Sequence, residues 1–181
     1  MDQNIRELFA AIDIRHSNEM TIPTAALIYV AIDTLGWMAY GASENSSKKR
    51  FIQWCQEYIG NFFDENCTEI ELYSSRCATL HSISSESSLS ASGQARKVFH
   101  LSGENRDDAK KFSKSLSKVS TTCIHIDTLI KELKNGAALF FENSKSCKEL
   151  SENIEKARKK QFVNVPVDLF KKVLPVIENL N

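Results

Sequence analysis

The sequence predicts a mainly α fold with a small two-stranded β element in its second half. Three observations carry that expectation. Apolar residues recur at helical spacing through most of the chain. An unbroken apolar run over residues 25–32 follows Pro23 closely, as in a buried helix entered through a proline in its first turn. Only two short stretches, KVFHL at 97–101 and TTCIHI at 121–126, are rich in β-forming residues.

Taken in order, Ile5, Leu8, Phe9 and Ile12 mark a short amphipathic first helix ending near His16 and Ser17. The second helix starts around Pro23, runs to about Gly41 and, being apolar nearly all round, belongs at the centre. Ser47 is placed to cap a third, whose buried stripe is Phe51, Trp54, Cys55, Tyr58 and Ile59. A fourth is expected over residues 64–81, with Glu65, Glu69 and Glu71 toward the end where the helix dipole favours negative charge. The serine-rich stretch at 82–92 reads as a loop, because serine side chains compete for backbone hydrogen bonds. Residues 96–126 read as a basic loop with a β-hairpin built from the two β-rich stretches. Asp127 is expected to cap a long helix with Leu129, Ile130, Leu133, Ala137, Phe140 and Phe141 on one face, and a charged helix follows over 145–160. A last element spans 167–180 and is interrupted by Pro175.

At 181 residues the chain fits a single domain able to bury its own core, and 42% hydrophobic with 25% charged residues is a globular balance. The net charge of zero divides unevenly: residues 1–95 hold 6 Lys+Arg against 12 Asp+Glu, and residues 96–181 hold 17 against 11. Two halves docking on each other explain this more simply than one face meeting a polyanion. Cys55, Cys67, Cys77, Cys123 and Cys147 form no CxxC pair, which fits reduced thiols; no metal site and no cofactor are expected. The N-terminal stretch opens with an acid and lacks a basic, then apolar, leader, so a cytoplasmic protein is expected. Residues 22–42 are the only membrane candidate. Asp33 interrupts them and the uninterrupted run falls well short of the about 20 apolar residues a span needs, so no membrane partner is expected.

The chemistry-bearing segment is RCATLH, residues 76–81. A neutral imidazole can accept the 2′-hydroxyl proton of RNA or protonate a leaving 5′-oxygen, and a guanidinium can hold the phosphate through paired hydrogen bonds. On an ideal helix Arg76 and His81 lie about 140° apart, so convergence on one phosphate requires the helix to end or bend before His81. This segment resembles the R-x4-6-H motif of the HEPN superfamily, over residues 20–90 at most, and the position after the arginine, often polar in that family, is Cys77. The resemblance implies an up-and-down helical bundle and a metal-independent endoribonuclease of toxin or anti-phage defence type. It also implies a homodimer in which each subunit brings Arg76 as phosphate ligand and His81 as general acid/base to a shared site.

Asp33, Tyr73 and Cys77 stand as supporting residues; Asp33 can orient Arg76 across the bundle or simply face solvent. Arg96, Lys97, Lys110 and Lys111 are the candidate RNA contacts, although a solvated basic loop explains them as well. His16, His100 and His125 have no ligand-spaced partner in sequence and are assigned no chemistry. Against the enzyme stands a plainer account, in which Arg76 is a structural ion pair and His81 a capping or core histidine. The chain is then a non-catalytic helical module that docks a partner protein. Glycine-rich phosphate loops and nucleophile elbows are absent from the sequence, which places a small-molecule enzyme last.

Overall fold

The computed structural model describes residues 2–161 except 42, 64–66, 104, 117 and 118; the element expected over 167–180 lies outside the described residues. Helix α1 (Gln3–Ser17) starts at Asp2, whose carboxylate accepts the Asn4 N–H, and buries Ile5, Phe9 and Ile12. The second Asp2 oxygen takes Arg158 at 3.1 Å, tying this start to the far end of the described chain.

Helix α2 (Thr21–Tyr40) holds Pro23 in its first turn and is central, touching α1 and every other main layer of the fold. Its length and a mean hydropathy of 1.4 would also suit a membrane span, but 56% of that window is buried inside this protein. One strip of α2 stays open to solvent: Ile22 and Val30 are exposed, and Asp33, Thr34 and Trp37 half-buried.

Helix α3 (Ser47–Tyr58) packs on α2 at Gly36, where a Cβ would sit 2.9 Å from the Arg50 carbonyl oxygen. That close approach brings the first turn of α3 against the C-terminal part of α2. The cap is Ser46, one residue earlier than expected, its hydroxyl accepting the Lys49 N–H. After a 3-10 turn at Gly60–Phe62 comes α4 (Glu69–Ser82). It starts later than the sequence suggests because Thr68 and Glu71 form a reciprocal capping box, which satisfies two otherwise unpaired N–H groups. The serine-rich stretch is not entirely loop, since Ser87 caps one short turn, α5 (Ser88–Ala91).

The expected hairpin is replaced by a crossover. Strands β1 (Lys97–Leu101) and β2 (Thr121–His125) do pair, Lys97 opposite Thr121, but in parallel. The lysine-rich stretch between them is the connecting helix α6 (Arg106–Leu116), packed on β2, rather than a loop. Parallel strands cannot be joined by a tight turn, and the helix between them supplies the needed crossover. Helix α7 (Ile126–Ser146) is capped by the His125 side chain, which accepts the Thr128 N–H, so Asp127 is a first-turn residue and not the cap. Its predicted stripe is buried, and Phe140 meets Tyr58 edge-on in the core, 5.4 Å between ring centroids. Helix α8 (Lys148–Arg158) lies along α2, with Asn153 donating to the Ala39 carbonyl.

Candidate functional site

Asp33 of α2 faces Arg76 of α4. Its Oδ2 accepts from Arg76 Nε at 2.8 Å and from Nη2 at 2.6 Å, across side chains that are 24% and 16% exposed. Burial alone would lower the guanidinium pKa, but the hydrogen bonds and charge of Asp33 outweigh it and hold Arg76 ionised above its ordinary value. The Tyr73 ring backs the same guanidinium, 5.8 Å from its centre, a cation–π contact. Cys77 stands next to both, half-buried.

With Nε and Nη2 committed to Asp33, Nη1 turns outward and lies 3.3 Å from His81 Nε2. An arginine nitrogen can only donate, so in this contact Nε2 of a neutral His81 ring is the acceptor and the ring proton sits on Nδ1. The expected break before His81 is not there, because α4 continues through Ser82. Two things close the angle instead: the length of the arginine side chain, and a widened last turn in which the Ile83 N–H is shared between the Thr79 and Ala78 carbonyls. Ile83 ends the helix in a left-handed conformation, φ 49°, which exposes both its own side chain and His81.

Around this group the fold adds Thr34, Trp37, Ser47 and Arg50, which sequence reasoning did not assign to the site. Asp33, Thr34, Trp37, Ser47, Arg50 and Arg76 line an open cavity of about 320 Å³. Trp37 lies one helical turn after Asp33 and was legible from spacing. Ser47 and Arg50 arrive only through the contact of α3 on α2, which no local pattern announces.

No family model, curated protein or solved structure matches this chain.

The basic residues expected to meet RNA have other engagements. Arg96 is paired with the buried Glu71, Lys97 with Glu86, and Lys111 with Asp108 at 3.2 Å; Lys110 is half-buried on α6. None of the four lines the cavity. The remaining histidines act in the framework. His16 bonds Asp127 at 2.8 Å, joining α1 to α7, and His125 bonds the Gly103 carbonyl at 2.8 Å while capping α7.

His100 sits behind the site in a polar triangle. Tyr29 donates to Ser75 at 2.8 Å, and His100 Nε2 lies 2.8 Å from the Tyr29 oxygen and 3.1 Å from that of Ser75. Burial pushes the His100 pKa down to about 4. A folded-state value below the unfolded one, about 6.5, means that the neutral ring stabilises the fold fully above pH 6.5 and that this stability is lost as pH falls toward 4. We expect wild type to lose about 2–3 kcal/mol across that window beyond what His100→Gln loses, measured by urea unfolding at pH 7 and 4.5. Parallel pH slopes for the two proteins would contradict a neutral buried imidazole.

Proposed function

We propose that this chain is a HEPN-like endoribonuclease that cleaves RNA by attack of its own 2′-hydroxyl. The observation that carries the reading is the Asp33–Arg76–His81 relay: a carboxylate fixes a charged guanidinium, the guanidinium presents N–H groups beside an exposed imidazole, and Asp33 and Arg76 line an open cavity. In this scheme Arg76 Nη1 leaves His81 Nε2 for the phosphate, and the freed Nε2 takes the 2′-hydroxyl proton as the oxygen attacks phosphorus. Arg76 meets the charge that builds on the phosphate, and a protonated imidazole returns the proton to the departing 5′-oxygen.

The reading includes a homodimer, each subunit contributing Arg76 and His81, in a cytoplasmic toxin or anti-phage setting. Exposed Ile22, Ile83 and Phe99 around one shallow cavity, with Val30 further along α2, supply an apolar surface beside the relay for a second copy. The same surface favours a second reading, a non-catalytic module that docks a partner protein, in which Arg76 is only a structural ion pair.

Cleavage products separate the two. Incubated with a single-stranded RNA in the presence of a chelator, the protein is expected to yield 2′,3′-cyclic phosphate and 5′-hydroxyl ends. An RNA carrying a 2′-deoxy residue at the cut position is expected to survive. Intact RNA under all conditions leaves the docking module as the function.

A further inference from the structure

The cavity beside Arg76 does not end at Trp37. Trp37 also lines a second cavity of about 280 Å³, with Gly41, Asn153, Lys156, Lys159 and Lys160 among others. Trp37 therefore forms a wall shared by two recesses. Arg50 and Arg76 line one, and three lysines line the other.

The lining charges are unbalanced. Among the described residues Asp33 is the one acid on either wall, and it is taken up by Arg76. The nearby acids of α8 are turned to other partners, Glu152 to Lys148 and Glu155 to Arg158. Among the described residues no ion pair is recorded for Lys156, Lys159 or Lys160. Arg50 is held in place by the Glu44 carbonyl at 2.6 Å, which fixes its position without neutralising it.

The ring itself is positioned by the end of α2. A Cβ on Gly41 would stand 2.6 Å from Trp37 Cδ1 and 2.9 Å from Nε1, so the absence of a side chain there lets the indole lie across the helix terminus. Positions 153, 156, 157 and 160 share one face of α8 and its continuation, spaced three and four apart, and that face runs alongside α2. Asp33 to Gly41 covers about 12 Å of helix rise.

We infer that Trp37 is a stacking platform for a base of single-stranded RNA, with the backbone running from the Arg76/Arg50 cavity over the indole to Lys156, Lys159 and Lys160. An aromatic ring flanked by cations along an open groove is the arrangement that holds a single strand irrespective of sequence, because every base has a π-face and every nucleotide a phosphate. This inference rests on the ribonuclease reading for the identity of the strand, and it names the substrate as single-stranded. A paired duplex cannot offer an internal base to the indole.

Neither stacking nor phosphate contact needs a 2′-hydroxyl, so a fluorescein-labelled deoxyadenosine octamer serves as an uncleavable probe. Fluorescence anisotropy with the full chain is expected to show binding by wild type. Trp37→Leu is expected to weaken binding about tenfold or more, and Trp37→Phe, which keeps a ring and controls for folding, to weaken it less. The combined Lys156→Ser, Lys159→Ser, Lys160→Ser variant, altered only at exposed positions, is expected to flatten the log–log salt dependence by about 2.

Unchanged affinity and salt dependence in both the Trp37→Leu and lysine variants overturns the track, as does equally tight binding of a duplex of the same length or no binding at low salt. Binding that follows this pattern with RNA left uncut keeps the track and discards the nuclease. Cleavage with an unaltered KM in the same variants does the reverse.

Discussion

His81→Ala is expected to slow RNA cleavage by about 10²- to 10⁴-fold, the loss associated with removing a general acid/base. The protein should otherwise be unharmed. His81 is exposed at the end of α4, its recorded side-chain partner is Arg76, and substitutions at such places usually shift stability by less than about 0.5 kcal/mol. A rate loss of that size with an unchanged thermal midpoint therefore reports chemistry and not unfolding. Arg76→Ala is a less clean probe, because it strands the Asp33 carboxylate in a partly buried place and lowers activity and stability together. Arg76→Lys keeps a charge but cannot keep both the Nε and Nη2 bonds to Asp33, so the cation is no longer aimed at His81. Single-turnover cleavage rates beside melting curves check the series. Full activity in His81→Ala would end the acid/base role.

Much of the fold was legible because helical periodicity survives in the sequence wherever one face is buried. The stripes of α3 and α7 are buried as expected, that of α1 is buried except for the half-buried Leu8, and α2 is central. Boundaries were harder, since they depend on single side chains. Thr68 and Glu71 set the start of α4 although a longer acidic segment suggested residue 64, and His125 takes the capping role that Asp127 offers on composition alone. Pairing of β1 with β2 was visible in composition; its direction was not. The direction depends on whether residues 106–116 form a helix, and a lysine-rich stretch there reads equally as a solvated loop.

The site divides in the same way. Asp33, Arg76 and His81 were named from sequence and are brought together. Ideal helix angles overstated their separation, since those angles describe where side chains start and not how far an arginine reaches. Arg50, Lys156, Lys159 and Lys160 were not assigned to the site, because they reach it only through the packing of α3 and α8 on α2.

The other large effect expected lies at the opposite end of α4, where Arg96→Met should cost about 3 kcal/mol. Glu71 is 6% exposed, and Arg96 reaches both its oxygens, Nε to Oε1 at 2.5 Å and Nη2 to Oε2 at 2.9 Å. Among the described residues only the Thr68 N–H otherwise donates to that carboxylate, also at 2.9 Å. Removing the guanidinium leaves a buried charge with a single neutral donor, a change that costs about 3–5 kcal/mol where no water can enter. Arg96 is itself 26% exposed, so water replaces part of what is lost and the lower end applies. If the penalty is the unpaired charge, adding Glu71→Gln to Arg96→Met should recover part of the stability, and the recovery should be read as a shift in urea midpoint at constant slope. A double variant no more stable than Arg96→Met would instead assign the loss to packing of the arginine stem. The consequence reaches the other end of the helix, because this pair anchors the first turn of α4 to the residue that enters β1, and Arg76 and His81 ride on the turns that follow. Loosening it should therefore lower cleavage as well as stability, more gently than His81→Ala does, with the rate loss growing as temperature approaches the unfolding midpoint.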